Sequence, residues 1–279
     1  MFFPFQQLTT LSLGHIEGCV HNQGFDRLST LQNLESLDLS GNYNMDNSIL
    51  SSIHSISSLK SLYLNDTNLN STTDIQWLSK LGNLEVLGLR DNNFNNSILS
   101  CLAKLSSLKA LDLSRNGLEG RIDFQGLSKL GNLEVLGLRD NNFNNSILSC
   151  LAKLSSLKAL DLSRNGLEGR IDFQGFSNLK NLEYLDISYN ALHNSILKDI
   201  EKMISLKTLR LSDCRLNGIL PTSKGLCNLR NLEQLDLRYN KLSGMLPRII
   251  SLEVYLLLGV LPLYGCRNFQ AIYYKFHYH

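Results

Sequence analysis

Several features that mark particular protein classes are scarce in this 279-residue chain. It contains one Trp and four Pro, and its 27 Lys and Arg nearly balance 25 Asp and Glu, which leaves a net charge of +2. So small a charge gives no electrostatic reason to expect nucleic acid or an anionic membrane as a partner. The best candidate for a membrane span, residues 254–263, contains Pro262 and is about half the roughly 20 residues that a spanning helix needs. We therefore expect no membrane insertion by this chain itself.

Sequence motifs for catalysis and metal binding are missing as well. The chain has no Gly-x-Ser-x-Gly motif, no P-loop and no set of kinase motifs. Two histidines in the tail, His277 and His279, are too few to indicate a metal site. We therefore expect no catalytic residues, no cofactor and no metal, and hence a protein that is not an enzyme.

Leu and Asn, in contrast, are abundant, with 60 Leu and 29 Asn in the chain. They follow the template L-x-x-L-x-L-x-x-N, which recurs ten times between Leu8 and Asn240 at intervals of 24 to 26 residues. Three copies end in Ile16, Thr67 or Cys214 instead of Asn. The copies that keep the final Asn supply what we call the ladder Asn residues: Asn42, Asn92, Asn116, Asn141, Asn165, Asn190 and Asn240.

The spacing within one copy predicts a short strand, because x-Leu-x-Leu-x alternates with period two and buries one face. The rest of each copy must return the chain so that the next strand is parallel to the last, about 4.8 Å away. One such coil cannot bury its Leu face alone, whereas a stack of coils forms a continuous core. The ladder Asn amide can both donate and accept, so we expect it to satisfy buried backbone groups where the chain leaves the strand.

The predicted fold is therefore an α/β solenoid of about ten coils, curved, with a parallel β-sheet on its concave side. Residues 1–247 form this solenoid, and residues 248–279 form a degenerate segment outside the repeat frame. Within that segment, Leu252 and Tyr255 fit a truncated eleventh strand, although it follows the tenth too soon for a full coil.

A longer period lies on top of the short one, since residues 78–126 and 127–175 are identical at all 49 positions. The tripeptide that opens each strand alternates between Asn-Leu-Glu and Ser-Leu-Lys. Equivalent residues lie side by side on neighbouring parallel strands, so this alternation predicts a row of opposite charges along one edge of the sheet. The row either disfavours a slip by one coil or is inherited from a two-coil ancestor without such a role.

The six cysteines do not form a readable disulfide framework. Cys101 and Cys150 are two coils apart, hence about 10 Å, which is too far for a disulfide. We expect both to fill the core and Cys214 to have a structural role in place of the ladder Asn. The pairing of the others remains open: Cys19, Cys227 and Cys266.

The coils resemble the plant extracellular type of leucine-rich repeat, in which the template continues as N-x-L-x-G-x-I-P. Residues 116–122 and their copy 165–171 read Asn-Gly-Leu-Glu-Gly-Arg-Ile, and residues 214–221 and 240–247 continue to Leu-Pro. The sequence of residues 225–237 is similar to sequences in the ectodomains of plant leucine-rich repeat receptor-like proteins. This resemblance covers roughly residues 4–247, and it implies a right-handed leucine-rich repeat solenoid.

The same resemblance implies a non-catalytic module that recognises a protein or peptide ligand, on the extracellular side of the plasma membrane. Its signalling, in defence or development, would go through a co-receptor kinase. Members of this group carry a secretory signal and a transmembrane helix, and neither is recognisable here. Two other hypotheses stay open: a secreted inhibitor of a cell-wall-degrading enzyme, and an inert truncated gene product with no ligand.

Ligand contacts are expected on the concave face, from side chains four, six and seven places after the first Leu of each coil. Tyr and Arg are the types that anchor interfaces, and a polar surface that mixes Asp with Arg suits peptide or protein recognition. The alternative is that this face is only the hydrated surface of a soluble repeat. Because the duplicated coils repeat their side chains, we favour the later coils: Tyr184, Asp186, Tyr189, Arg210, Asp213, Asp236, Arg238 and Tyr239.

Four Asn-x-Ser/Thr sequons are candidate glycosylation sites in a secreted protein. Three of them fall 11 residues after the first Leu of their coil, in the turn that follows the strand, and the fourth lies on the strand face. The four Asn residues are Asn70, Asn95, Asn144 and, on the strand face, Asn65.

Overall fold

The computed structural model describes residues 5–16, 28, 30–43, 45, 50, 52–70, 75–120, 127, 129–171, 173–220, 228–243 and 253–255. Within them the predicted solenoid is confirmed, because one parallel sheet of eleven strands runs through the stack. Its strands are β1 Thr10–Ser12, β2 Ser36–Asp38, β3 Ser61–Tyr63, β4 Val86–Gly88, β5 Ala110–Asp112, β6 Val135–Gly137, β7 Ala159–Asp161, β9 Tyr184–Asp186, β11 Thr208–Arg210, β13 Gln234–Asp236 and β15 Glu253–Tyr255. Two smaller parallel pairs lie beside it, β8 Glu168–Gly169 with β10 Ala191–Leu192 and β12 Asn217–Ile219 with β14 Lys241–Ser243.

From β1 to β13, the register of the main sheet places the central Leu of each strand opposite the central Leu of the next. Leu160 lies opposite Leu185, for example, and Leu209 lies opposite Leu235. These side chains are at most 2% exposed and belong to one continuous core that runs the length of the stack. Each coil therefore buries its Leu face against its neighbours, as the repeat requires.

The eleventh strand extends the sheet beyond residue 247, into the segment that we expected to lie outside the repeat frame. Its register also differs from the one that Leu252 and Tyr255 predict. That frame would place Tyr255 opposite Leu235, whereas the structure places Val254 there. The last strand follows the tenth after fewer residues than the other strands do. Its pairing is therefore shifted by one residue from the one that the Leu spacing predicts.

Short helical turns return the chain between strands. The α-helices whose bounds fall within the described residues are α1 Ile98–Leu102, α2 Leu148–Leu151 and α3 Ile196–Asp199. The 3-10 helices span Gln76–Lys80, Asn145–Ile147, Gln174–Asn178 and Ile200–Lys202. Cys101 and Cys150 lie on α1 and α2 as buried free thiols that pack into the core. Cys19, Cys227 and Cys266 lie outside the described residues.

The ladder Asn side chains join each coil to the one before it. In all seven, Nδ2 donates to the carbonyl that ends the strand of its own coil and to the equivalent carbonyl of the preceding coil, at 2.7–3.2 Å. In six of them Oδ1 accepts a backbone N–H of the preceding coil, as Asn116 does from Phe94 at 3.0 Å. One side chain thus satisfies backbone groups of two coils.

Two of the copies that lack the Asn use another donor. The Thr67 hydroxyl donates to the Leu64 carbonyl of its own coil at 2.9 Å. The Cys214 thiol donates to the Ile187 carbonyl of the preceding coil at 3.3 Å. Burial raises the pKa of Cys214 to about 12, so the sulfur keeps the proton that it donates.

The strand-opening tripeptides form separate ion pairs. The Lys of each Ser-Leu-Lys tripeptide bonds the Glu of the preceding coil at 2.7–2.9 Å, and all of these side chains are at least partly exposed. The pKa of Glu85 is lowered mainly by its hydrogen bond to Lys109 and only weakly by the more distant Lys60. The pairs are Glu35–Lys60, Glu85–Lys109, Glu134–Lys158 and Glu183–Lys207.

Candidate functional site

The residue seven places after the first Leu has a positive φ in every one of the ten coils. We call these residues the exit row, because they lie where the chain leaves the sheet. Left-handed backbone costs a residue with a Cβ roughly 1–2 kcal/mol, and only one member of the row is Gly. The exit row comprises His15, Gly41, Asp66, Asp91, Arg115, Asp140, Arg164, Tyr189, Asp213 and Tyr239, with φ from 50° to 72°.

Hydrogen bonds between coils hold this conformation. In nine of the coils the backbone N–H of the exit-row residue donates to a carbonyl of the following coil at 2.7–3.0 Å. Arg164 donates to Ser188 in this way, and Tyr189 donates to Ser212. The left-handed turn is therefore a regular feature of the repeat, fixed by the bond to the following coil. It gives every exit-row residue the same backbone conformation along the stack.

Carboxylates four places after the first Leu lie beneath this row and brace its turn. Asp161, Asp186 and Asp236 each accept the backbone N–H two residues later, at 2.8–3.0 Å. Asp186 is only 4% exposed and Asp236 only 9%. Both were expected to contact ligand, but they are buried and bonded to the turn, so they support the face from below.

Asp161 and Asp186 lie opposite each other on β7 and β9, and both are buried. Burial, and then the negative charge of Asp186, raise the pKa of Asp161 to about 6. Arg139 lowers it only weakly, and Arg210 approaches Asp186 at 3.8 Å from the other side. The result is a pair of carboxyl groups that cannot both be charged without cost.

The side chains of the last coils leave a mixed aromatic and cationic surface. Arg210 is exposed and lies over the Tyr184 ring, 5.4 Å from its centroid. Tyr189 is 37% exposed and Tyr239 67% exposed. Asp213, of the exit row, is exposed as well.

Arg238 is the member of this group that is tied down most firmly. Its guanidinium binds Asp236 through two hydrogen bonds, of 2.9 and 2.7 Å, and hydrogen bonding to Asp236 is the main cause of its raised pKa. We infer that Arg238 shapes the face more than it offers free donors to a ligand.

The earlier coils present a different surface, in which opposite charges pair with each other. Arg90 binds Asp91 at 2.8 Å, and Arg115 lies between Asp91 at 3.2 Å and Asp140 at 3.4 Å. The last coils differ in their exposed aromatic side chains, Tyr189 and Tyr239, and in the weaker ion pair of Arg210, which lies 3.8 Å from Asp186.

The four sequons lie in unlike surroundings. Asn95 and Asn144 are exposed, and each Oδ1 accepts the N–H of the Ser two residues on at 3.0 Å. Asn70 is half-buried, and the Thr72 of its sequon lies outside the described residues. Asn65 accepts the Arg90 N–H at 3.0 Å and lies so close to Gly88 that a Cβ there would be 2.8 Å from its oxygen. A glycan on Asn65 would have to break these contacts, whereas Asn95 and Asn144 are exposed.

In the residues that the structure describes, no helix has both the length and the apolar character needed to cross a bilayer. The same residues contain no group of three or more His, Cys, Asp or Glu side chains placed to share a metal ion.

Comparison with known protein families gives two matches. A model described as "Zer-1-like, Leucine-rich repeats" matches residues 99–202. A model described as "Leucine Rich Repeat" matches residues 205–228 and 231–252. Together the two models cover more than half of the chain.

Curated relatives include two proteins of Arabidopsis thaliana. Receptor-like protein 9b is 39% identical over 97 residues, which are 34% of this chain and 10% of that protein. Receptor-like protein 9a is 38% identical over 98 residues, which are 33% of this chain and 10% of that protein. The chain spans about a tenth of the length of these relatives.

Solved structures with the same architecture include plant receptor kinases. The Arabidopsis receptor kinase HAESA, in complex with the peptide hormone IDA and the co-receptor SERK1, has 30% identity and a TM-score of 0.66, over 88% of this chain and 39% of that chain. The ectodomain of the Arabidopsis kinase GASSHO1/SCHENGEN3, in complex with CASPARIAN STRIP INTEGRITY FACTOR 2, has 26% identity and a TM-score of 0.62, over 82% and 30%. Internalin C2 of Listeria monocytogenes, at 24% identity and a TM-score of 0.60 over 73% and 80%, shares the fold.

Proposed function

This chain belongs to the leucine-rich repeat family in its plant receptor-like form, and on that premise we propose that it recognises a peptide or protein ligand with the concave face of its last coils. The observation that carries the proposal is the run of Tyr189, Arg210 and Tyr239 on three consecutive coils. Arg210 and the two Tyr side chains are exposed. Rigid aromatic side chains beside an exposed guanidinium are the usual anchors of protein interfaces.

The charge pattern of the face supports the same location. On the earlier coils, Arg115 already has two carboxylate partners, so a ligand would have to break ion pairs there before forming new ones. On the last coils, Arg210 is exposed, and its contact with the Asp186 carboxylate is weak, at 3.8 Å. A ligand that carries acidic and apolar groups therefore gains more from the last coils.

The setting that we propose is the outer face of the plasma membrane, as part of a cell-surface receptor-like protein in defence or developmental signalling. Support comes from the similarity to receptor-like proteins and to HAESA, whose structure holds a peptide hormone and a co-receptor. By that analogy a co-receptor kinase would pass the signal on. We further propose that Asn95 and Asn144 carry N-linked glycans in this setting.

The test starts from a random linear peptide library displayed on phage and selected against the immobilised chain. Selected peptides are then measured against the variant Tyr189→Ala/Arg210→Ala/Tyr239→Ala. The matched control changes the same types of side chain on earlier coils, Tyr43→Ala/Tyr63→Ala/Arg115→Ala. We expect most peptides to lose about tenfold or more in affinity with the first variant and little with the control. Equal losses with both variants, or no loss with either, would contradict the proposal.

A further inference from the structure

A groove with a volume of ≈ 410 Å³ lies along the exit row of the seventh to ninth coils. It is as large as many small-ligand sites. Side chains of both charges surround it, and residues 165–167 and 190–191 form the rest of its wall. The side chains that define this exit groove are Arg164, Glu168, Tyr189, Asp213 and Arg215.

Arg164 is the distinctive member of the exit groove. Its guanidinium carbon lies 4.1 Å from the centroid of the Tyr189 ring. In the described part of the chain it forms no ion pair, although Asp140 stands on the coil before it, because that carboxylate binds Arg115 instead. Arg164 is also exposed.

Stacking on an aromatic ring leaves a guanidinium with a definite binding capacity. The ring occupies one face of the planar group, while the N–H donors point outward around its edge. Two parallel N–H groups on that edge match the two oxygens of a carboxylate. Tyr189 therefore holds Arg164 in a fixed plane with its donors available, so little side-chain freedom is lost on binding.

From this geometry we infer that the exit groove binds a carboxylate of a peptide ligand, held in two-pronged fashion by the edge of Arg164. The inference rests on the proposed function, since it names one group of the ligand that the last coils would recognise. Arg215, which lines the same groove with a φ of 59°, adds a second positive charge.

The acidic members of the groove limit what kind of anion it takes. Glu168 and Asp213 are both exposed and line the same space as the two Arg side chains. With two charges of each sign, the groove favours a singly charged carboxylate over a phosphate, which carries nearly two negative charges near neutral pH. Both an acidic side chain and a C-terminal carboxylate meet this description.

Three short peptides distinguish these sources when flowed over the immobilised chain. The first is acetyl-Gly-Tyr-Gly-Glu-Gly-amide, the second has Gln in place of Glu, and the third is acetyl-Gly-Tyr-Gly-Gly-Gly with a free C-terminal carboxylate. We expect roughly millimolar binding of the first, the third or both, and at least about tenfold weaker binding of the Gln peptide. The peptide that binds identifies the source of the carboxylate. Equal binding of all three peptides, or no binding by any of them, would overturn the inference.

The chain offers a matched control for the decisive residue. Arg115 occupies the same place in an identical 49-residue segment. Arg164→Gln should abolish the carboxylate preference, whereas Arg115→Gln should leave it unchanged. Tyr189→Leu, which keeps an apolar side chain but removes the ring, should weaken binding several-fold. Equal losses with Arg164→Gln and Arg115→Gln would show general charge attraction and overturn the inference.

A further variant separates this inference from the proposed function. Arg210→Ala/Tyr239→Ala changes two anchors of the concave face, and neither lines the exit groove. It should weaken the phage-selected peptides while the three short peptides bind as before. Suppose that Arg164→Gln leaves binding of the short peptides unchanged while this double variant still weakens binding of the selected ones. Then the proposed carboxylate site is wrong and the proposed function stands. The reverse pattern removes the proposed function and keeps a carboxylate site.

Discussion

Residues 78–126 and 127–175 consist of the same 49 residues in the same order, yet their side chains have different partners. In the first segment Arg115 lies between Asp91 and Asp140. In the second, the equivalent Arg164 lies over the ring of Tyr189. The coil that follows supplies the difference, because the first segment is followed by Asp140 and the second by Tyr189.

The carboxylates beneath the face differ in the same way. Asp112 lies opposite Gly137 on β6, whereas the equivalent Asp161 lies opposite Asp186 on β9. Burial raises the pKa of both, and the second cause for Asp161 is the facing carboxylate of Asp186, whereas Asp91 raises the pKa of Asp112 only weakly. In a solenoid, then, the neighbouring coil decides the chemistry of a side chain as much as the coil's own sequence does. Identical coils can be inert scaffold in one place and part of a site in another.

The largest effect is expected from removing a ladder Asn. Asn141→Ala leaves the buried Leu118 N–H without its acceptor, and it removes one of the two ladder Asn donors from each of the Leu113 and Leu138 carbonyls, which keep Asn116 and Asn165. One buried N–H left unsatisfied costs about 1–3 kcal/mol, and each lost hydrogen bond to a carbonyl costs about 0.5–1.5 kcal/mol, so we expect a loss of about 2–4 kcal/mol in the free energy of unfolding by urea. A loss below about 0.5 kcal/mol would mean that water or neighbouring groups replace the amide.

The equivalent change in the first segment sharpens the comparison. Asn92 also accepts the Thr67 N–H, at 3.2 Å, in addition to the Leu69 N–H at 2.9 Å. Asn92→Ala should therefore destabilise the chain more than Asn141→Ala, although the two Asn residues lie in identical segments. A smaller loss for Asn92→Ala would contradict this use of the neighbouring coil.

A smaller and pH-dependent effect is expected from the buried carboxyl pair. The pKa of Asp161 is about 6 in the folded chain against an ordinary value of 3.8, so the folded state binds the proton more tightly than the unfolded state does. Stability from this group is therefore greatest below about pH 4 and falls as the pH rises toward 6, by about 2–3 kcal/mol in all. Asp161→Asn should remove this slope and stabilise the chain at pH 7 by about 1–2 kcal/mol, but not at pH 4.

The control is Asp112→Asn in the first segment, measured by urea unfolding at the same two pH values. Gly137 brings no carboxylate to Asp112, so its stabilisation at pH 7 should be smaller. If the two substitutions give the same pH profile, burial alone governs both groups and Asp186 has no part in the difference.

The smallest effect should be the same in both segments. Lys109 and Lys158 each bond a Glu of the preceding coil at 2.8 Å, and all four side chains are well exposed. Lys109→Glu and Lys158→Glu should each lower the Tm by about 1–2 °C in low salt and by less in high salt. Unequal shifts would show that the influence of the neighbouring coil reaches this edge of the sheet as well. No shift in either would leave the alternating charges as inheritance from a two-coil ancestor.

The architecture could be predicted from the sequence because the positions of the Leu residues correspond directly to the strands and coils. Period-two alternation gave the strands, and the repeat spacing gave the parallel stacking, as in the pairing of Leu160 with Leu185. The Leu spacing predicts the wrong pairing at the last strand, where Val254 and not Tyr255 lies opposite Leu235. There the coil is shorter, so a pattern that assumes equal coils gives the wrong register.

The site was harder to predict, for two physical reasons. The left-handed exit row carries Arg and Tyr and only one Gly, so composition does not reveal it. Alternation alone assigned Asp186 and Asp236 to the surface, but both are drawn inward by the backbone N–H groups of the turn. The spacing places Arg164 on the concave row. Its contact with Tyr189 could not be predicted from spacing, because it depends on Asp140 binding Arg115 and not Arg164.

The most direct test of this account is the hydrogen exchange of the guanidinium Nε–H groups of Arg115 and Arg164, followed by nitrogen-15 NMR. We expect slower exchange at Arg115, which has carboxylates on both sides, than at Arg164, which lines the exit groove and has no ion pair among the described residues. Tyr189→Asp should then slow the exchange at Arg164 to nearly the rate of Arg115, because it recreates the neighbour of the first segment. Equal rates for the two Arg side chains in the unchanged chain would contradict the claim that the neighbouring coil sets the chemistry of identical segments.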